Sequence, residues 1–353
     1  MSKAYLHDDQ DMSDAWAPWF SHEYIAYFAV QSIGALMSLP AVSVMAGLRD
    51  AHKHWPAGPK HIDIFKESYQ THRRLDPLQT FDARKRNGDF ALSAPSGKRI
   101  EPWKVFVLYS AEPDLYLDED LLLHKNQAMA GGSHGWRHMH FKLLGATYGM
   151  APQSFRIHRN LAGLAFHRGN PYWGWRYLAR AGHYLADLGN PFHVKVMPGS
   201  FLLRNIFARR DLQRRVSALH QSYEIYVERR FREGFEPFRE ALTAGAAKGR
   251  DSAMSPDARL NGYIRRAEKR HKKIFNGLLR EFDGDLMDIF LKEDQSGASD
   301  APTRAGRLAA QAAALLFGKD RPSSLTFLDD VTCDSLKDVG WMQGALLKDF
   351  TPL

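Results

Sequence analysis

The amino-acid sequence predicts an all-α protein on three observations. Most of the chain falls into long segments with the apolar and polar patterning of helices. Strand character, with apolar and β-branched residues, is confined to one short run at residues 105–109. Stretches rich in proline, glycine and small polar residues separate these segments. We therefore expect a multi-helix bundle.

The expected elements follow in chain order. Ser21 is a candidate N-cap residue for a first helix, and Pro40 breaks or kinks that helix. A proline-containing, polar insertion occupies about residues 50–105 and ends in the strand-like run. The clearest linker is 294–302, which is rich in small and polar residues. Further helices are predicted over 119–130, 154–168, 172–188, 200–231, 233–247, 257–281 and 303–317.

The composition is that of an ordinary globular protein and narrows the possible chemistry. Apolar residues make up 44% and charged residues 25% of the chain, which excludes a disordered chain, a fibre and a polytopic membrane protein. Cys333 is the single cysteine, so an intrachain disulfide and a cysteine-based zinc cluster are excluded. There are 16 histidines. A bound metal ion would therefore be held by histidine, aspartate and glutamate.

The chain is basic, with 48 Lys and Arg against 40 Asp and Glu. A basic chain suits either nucleic acid or an anionic membrane surface. The basic clusters at 204–215 and 265–273, each taken alone, are typical of solvated helix faces. No nucleic-acid-binding consensus accompanies them.

The start of the chain lacks the basic and apolar regions of a secretory signal peptide. Residues 25–48 are uncharged and long enough to span a bilayer, but their serines, Gln31 and Pro40 favour a buried first helix. Export without such a signal and a cytoplasmic location both stay open.

The stretch 183–193, HYLADLGNPFH, holds a dense set of potential metal ligands. His183 and Asp187 are four residues apart, so on a helix they project from one face and can close on one metal ion. A Gly-Asn-Pro sequence then ends the helix and leaves His193 on a turn. This turn histidine is free to point back towards the same region.

A second pair with the same spacing, His220 and Glu224, lies in the helix predicted over 200–231. One such pair occurs often by chance and is usually a contact on a helix surface. Two pairs with a turn histidine between them can form two metal positions without cysteine. Spacing alone leaves a metal centre and ordinary helix contacts equally open.

The run 168–193, RGNPYWGWRYLARAGHYLADLGNPFH, resembles the signature of the zinc-dependent bacterial phospholipases C. The same fold also includes the single-strand-specific zinc nucleases. In this family a histidine, an aspartate and a histidine precede HxxxD, a turn histidine, and HxxxE or HxxxD. The matching residues here are His22, Asp114, His140, His183, Asp187, His193, His220 and Glu224. The resemblance is strong over about 154–230, moderate over 14–30 and 110–142, and absent elsewhere.

The resemblance implies a catalytic domain over 1–230 and a C-terminal helical extension over 231–353 that can pack on the same domain. It also implies two or three zinc ions. The first would take Asp114, His140, His183 and Asp187. The second would take His193, His220 and Glu224. The third would take His22 and share Asp187; the family completes it with an N-terminal tryptophan, whereas Trp16 and Trp19 are internal here.

Several residues near these ligands leave alternatives open. His140 is preferred because Phe141 follows it, as in the family, but His138 is an alternative ligand. His134 is a weaker candidate and is typical of a loop histidine. Tyr116, Phe141 and Tyr223 lie beside candidate ligands and are expected to receive a quaternary ammonium headgroup on their aromatic faces.

The resemblance implies a zinc-dependent phospholipase C that hydrolyses the glycerol-side phosphodiester of phospholipids, above all phosphatidylcholine. Its products would be diacylglycerol and the phosphorylated headgroup, with Asp114 as the catalytic residue that orients or deprotonates water. The implied partner is a phospholipid membrane surface, with no nucleic acid expected and no protein partner inferable. A zinc nuclease and a non-catalytic membrane- or metal-binding protein are the alternatives. The family also implies secretion or a cell-envelope location.

Overall fold

A computed structural model describes residues 21–43, 99–114, 122–143, 145–198, 209–232, 234–294 and 326–351. Within these ranges the protein is all-α, as predicted. Most of the expected insertion and linker, the helix expected at 303–317, and the residues Trp16, Trp19 and Tyr116 lie outside the described residues.

The helices in chain order are α1 (Ser21–Gln31), α2 (Gly34–Met37), α3 (Pro102–Leu108), α4 (Gly132–His138), α5 (Ala151–His167), α6 (Pro171–Gly189), α7 (Pro191–Val194), α8 (Arg209–Arg232), α9 (Glu236–Arg250), α10 (Pro256–Asp294) and α11 (Thr326–Phe350). Two 3-10 turns lie at Glu112–Asp114 and Gln127–Ala130. Strand β1 (Val42–Ser43) pairs antiparallel with β2 (Arg99–Ile100), and β3 (Phe141–Leu143) pairs antiparallel with β4 (Ala146–Tyr148).

Two local predictions are wrong. The run 105–109 belongs to α3 and its end, because Pro102 favours a helix start and a short apolar run buried on all sides suits a helix as well as a strand. The helix predicted over 119–130 is, where described, an irregular stretch followed by a 3-10 turn. There the side-chain oxygen of Gln127 accepts hydrogen bonds from the backbone N–H groups of Leu123 and His124.

The helix α6 is the buried centre of the fold. Asn170 caps its start by accepting a hydrogen bond from the backbone N–H of Trp173, and Pro171 stands at its first position. Every residue from Tyr172 to Gly189 is buried, because α3, α5, α10 and α11 all pack on it. A helix that is surrounded in this way can hold polar side chains at fixed positions inside the protein.

The C-terminal helices share one apolar core with the N-terminal part of the chain. Tyr263 of α10 donates a hydrogen bond from its hydroxyl to the backbone oxygen of Leu185 (2.7 Å), and Gln343 of α11 donates one to Gly182 (2.6 Å). Among the described helices, none combines the length and apolar character that crossing a membrane requires.

The helices α9 and α11 touch along a seam of glycines, Gly245 and Gly249 facing Gly340 and Gly344. A β-carbon at any of these four positions would collide with backbone atoms of the opposite helix. The two backbones therefore approach more closely than side chains would allow.

Candidate metal centre

The inward face of α6 carries a row of four buried polar residues: Arg176, Arg180, His183 and Asp187. Their spacing of four, three and four residues places them along one side of the helix. This side faces the 3-10 turn Glu112–Asp114, which supplies a carboxylate to each half of the row.

The first half of the row forms a closed ionic network around Glu112. Arg176 and Arg180 each donate from Nε to Glu112 Oε2, at 3.0 Å and 2.8 Å, and Arg176 also contacts Oε1. Burial acts to raise the pKa of Glu112, but the charges of Arg176 and then Arg180 outweigh it and hold the pKa well below its usual value. This Glu112 network fixes the turn that carries Asp114.

The second half of the row belongs to an inner cluster, defined as His22, Asp114, His138, His183 and Asp187. Asp187 Oδ2 lies 2.8 Å from His138 Nδ1 and 3.2 Å from His183 Nε2. Asp114 Oδ1 lies 3.5 Å from His183 Nε2 and 3.6 Å from His138 Nδ1. The ring of His22 stacks on that of His183, and its Nε2 lies 3.6 Å from Asp187 Oδ1.

An outer cluster consists of His193, His220 and Glu224. The Nε2 atoms of the two histidines are 2.8 Å apart, and Glu224 Oε1 lies 3.1 Å from His193 Nε2 and 2.8 Å from His220 Nε2. Asp187 Oδ1 is 3.3 Å from His193 Nδ1, so the two clusters meet at Asp187.

The Gly-Asn-Pro turn between α6 and α7 joins the two clusters. Asn190 accepts a hydrogen bond from the backbone N–H of Phe192 (3.1 Å) and so caps the start of α7, which carries His193. Its side-chain nitrogen donates to Glu224 Oε1 (3.0 Å). One asparagine therefore fixes the position of a histidine and of its glutamate partner.

Backbone carbonyls orient two of the histidines. His183 Nδ1 lies 2.7 Å from the oxygen of Ser110, and His193 Nδ1 lies 3.0 Å from the oxygen of His138. A carbonyl can only accept, so each Nδ1 carries the proton and donates it. Each Nε2 is then left with its lone pair directed into the cluster, which is the second-sphere arrangement that metal-binding histidines use.

The donor atoms fit a metal ion. Two donors that bind one tetrahedral zinc ion at about 2.0–2.1 Å lie about 3.3 Å apart. The separations within both clusters, 2.8–3.7 Å, fall around that value. Asp114 Oδ2 is also buried without a hydrogen-bond partner among the described residues. Several groups of histidine and carboxylate in this structure can therefore hold a metal ion.

The pKa values of the two carboxylates in the inner cluster shift in opposite directions. Burial is the main reason why the pKa of Asp114 rises to about 6. Burial also acts on Asp187, but the charges of His183 and His138 outweigh it and hold the pKa of Asp187 well below its usual value. Burial, followed by the charge of His183, lowers the pKa of His22 and favours the neutral imidazole that a metal requires.

The carboxylate of the outer cluster is held in its charged form. Burial acts to raise the pKa of Glu224, but His220 and then His193 outweigh it and lower the pKa. Burial acts to lower the pKa of His193, and Asp187 and Glu224 reverse that effect, so the pKa rises. The outer cluster therefore presents an ionised carboxylate to any cation that enters.

Seven of the eight sequence-predicted ligands lie in the two clusters: His22, Asp114, His183, Asp187, His193, His220 and Glu224. The structure does not bring His140 to them, and His138 lies there instead. The backbone of His140 donates to the oxygen of His193 (2.7 Å). Burial, followed by the charges of Lys142 and Arg156, lowers the pKa of its ring. The alternative ligand that the sequence left open thus matches the geometry.

The two described aromatic candidates for substrate contact are core residues. Phe141 is buried and stacks on Tyr148 with ring centroids 5.4 Å apart. Tyr223 is buried, packs on Phe192, and donates its hydroxyl to Thr332 Oγ1 (3.4 Å). Neither aromatic face is open to a headgroup.

Sequence reasoning missed the Glu112 network and underestimated His134. The spacing that singled out His183 and Asp187 continues backwards to Arg180 and Arg176, so the same helical register could have revealed a charged row. His134 is four residues before His138 and lies on the helix α4 rather than in a loop. The chain matches no family model, no curated protein and no solved structure.

Proposed function

We propose that the protein is a zinc-dependent phospholipase C that hydrolyses the glycerol-side phosphodiester of phospholipids, with phosphatidylcholine as the preferred substrate. The observation that carries this proposal is the meeting of two histidine–carboxylate clusters at Asp187. Adjacent metal positions are suited to phosphoryl chemistry, because a pair of ions can bind the attacking and the leaving oxygen. The resemblance of residues 168–193 to the phospholipases C supplies the lipid substrate.

The inner cluster would hold one or two zinc ions and the outer cluster a further one. A bound zinc ion supplies Lewis acidity, which lowers the pKa of water and offsets charge on phosphate oxygens. Asp187 would serve two positions of the inner cluster, since its Oδ2 faces His138 and its Oδ1 faces His22. A shared anion reduces the repulsion between neighbouring cations.

Asp114 is suited to accept the proton of the attacking water. Its side chain is 11% exposed, whereas that of His183 behind it is fully buried, so Asp114 meets the solvent side of the inner cluster. A carboxylate on this side is within reach of water and can accept a proton from it. The Glu112 network holds this carboxylate in place through the short turn between them.

A basic face of α10 supports a membrane surface as partner. Arg265, Lys269, Lys272 and Lys273 are exposed and form no ion pair with any described residue. Their spacing places them on one side of the helix. The cations on the neighbouring face are satisfied within the protein, because Arg266 and Arg270 both pair with Asp338. Each exposed cation near an anionic lipid surface contributes about 1 kcal/mol of binding free energy.

The test compares three measurements on the purified full chain. We expect bound zinc, release of water-soluble phosphate from phosphatidylcholine vesicles, and loss of that release with a chelator. Cleavage of single-stranded DNA without lipid hydrolysis would replace the proposal with a nuclease. Bound zinc without hydrolysis of either phosphodiester would indicate a non-catalytic metal-binding protein.

A further inference from the structure

His134 is the histidine at the solvent edge of the inner cluster. Its Nε2 lies 3.8 Å from Asp114 Oδ1, and its ring stacks on that of His138 with centroids 4.3 Å apart and an interplanar angle of 25°. The family resemblance gives this residue no role.

One carboxylate oxygen faces three imidazoles at this edge. Asp114 Oδ1 lies 3.5 Å from His183, 3.6 Å from His138 and 3.8 Å from His134. Asp114, His134 and His138 each offer a donor atom, and these atoms lie within 4.8 Å of one another. The three donors therefore form a group of their own, which overlaps the inner cluster at two residues.

The local backbone holds His134 in this place. His134 and His138 are one turn apart on α4 and so share a face of the helix. Gly131 and Gly132, with φ of 90° and 91°, make the sharp entry into α4. A β-carbon at Gly135 would collide with the carbonyl of Ala130, so glycine lets α4 lie close against the preceding turn.

We infer that His134 is a metal ligand and that it forms, with Asp114 and His138, the metal position nearest to the mouth of the site. Exposure rises outwards along the group, from 3% for the His138 side chain to 11% for Asp114 and 30% for His134. Three protein ligands with one open side are what a catalytic metal position requires. The inference rests on the proposed function in so far as both require bound metal.

The competing role for His134 is a hydrogen bond that only orients Asp114. Removal of a ligand and removal of a residue that orients a ligand both weaken metal binding, so a loss of affinity alone does not distinguish the two roles. A cysteine substitution does separate them, because thiolate bound to cobalt(II) gives an intense charge-transfer absorption that an orienting thiol does not give. The chain suits this test, because burial and then Asp329 raise the pKa of its single cysteine, Cys333, to about 11.

The experiment measures zinc content after dialysis and the spectra of cobalt-substituted full-length protein. We expect His134→Ala to lose up to about one zinc ion per chain, and His140→Ala, the matched control two residues beyond the cluster, to keep the wild-type content. We expect the charge-transfer band in His134→Cys and its absence in His140→Cys and the wild type.

Unchanged zinc content in His134→Ala together with no band in cobalt-loaded His134→Cys would overturn the inference. Failure of the proposed function looks different. Wild-type protein that binds zinc and loses it on His134→Ala, but hydrolyses no phospholipid, would leave His134 a ligand and remove the phospholipase assignment.

Discussion

The two halves of α6 bury charge in opposite ways. Arg176 and Arg180 meet one carboxylate, Glu112, with donors directed at acceptors, so Glu112 offsets part of their charge within the protein. His183 and Asp187 stand in a cluster in which imidazole nitrogens lie close to one another and the carboxylates face imidazoles. The comparison teaches that buried charge does not mark a site by itself. A candidate site is marked where several histidine and carboxylate donor atoms converge.

Of the substitutions that test this contrast, Asp187→Ala is expected to have the largest effect. We expect loss of bound zinc and a fall in phosphatidylcholine hydrolysis of about a thousandfold or more, because a catalytic metal supplies several kcal/mol of transition-state stabilisation. Zinc analysis and a phosphate-release assay measure both effects. The control is Asp257→Ala, which removes an exposed aspartate paired with Arg156. Undiminished zinc and full activity in Asp187→Ala would contradict the shared role of this residue.

Asp114→Asn tests the division of labour within the inner cluster. We expect turnover to fall about 10²–10⁴-fold, the usual effect of removing a general base, and zinc content to fall less. The amide keeps the size of the side chain and an oxygen donor but cannot accept the proton. Equal losses of zinc and of turnover would show that Asp114 acts only as a ligand.

Glu112→Gln tests the half of α6 whose arginines pair with Glu112. We expect the free energy of unfolding to fall by about 3–5 kcal/mol, because two buried arginines lose their counter-charge. Denaturant unfolding measures the change. Asp338→Asn is the control, since it removes a more exposed partner of Arg266 and Arg270 and should cost about 1 kcal/mol or less. Similar losses in the two variants would show that burial adds nothing.

The Glu112 network also predicts a pH dependence with a definite sign. The folded-state pKa of Glu112 lies below the unfolded value of 4.5, so its contribution to stability is complete above about pH 4.5 and is lost as the pH falls further. The difference in unfolding free energy between wild type and Glu112→Gln should therefore be constant near neutrality and shrink in acid. A difference that grows in acid would contradict this.

The smallest effect is expected for His140→Ala. Its ring lies outside both clusters, so bound zinc and lipid hydrolysis should stay near the wild-type values, whereas His138→Ala should lose metal. Metal analysis of the two variants side by side measures the difference. The reverse result would restore the ligand that sequence resemblance preferred.

Much of the fold could be predicted because helical patterning is local. The segments 154–168, 172–188 and 233–247 match α5, α6 and α9 within a few residues at either end. α11 was not predicted, although its apolar residues recur at helical spacing. Gly340 and Gly344 lower its intrinsic helix propensity, and its stability comes from packing on α9.

The candidate site was predictable where candidate ligands sit four residues apart on one helix, as with His183 and Asp187 or His220 and Glu224. The choice between His138 and His140 could not be predicted, because both residues lie where α4 ends and the strand β3 begins. Which ring faces inwards there is decided by the backbone direction after α4. That direction is set by contacts distant in sequence, such as the bond between His140 and His193.

The glycine seam between α9 and α11 has a consequence for how this chain can vary. At Gly245, Gly249, Gly340 and Gly344 every alternative amino acid adds an atom where a backbone already lies. Ser335 and Gln343 on α11 bond to the backbone of α6 near Asp187, so a side chain that forces the seam apart would also shift the candidate metal ligands on α6. Four positions with no chemistry of their own thus constrain the geometry of the candidate site.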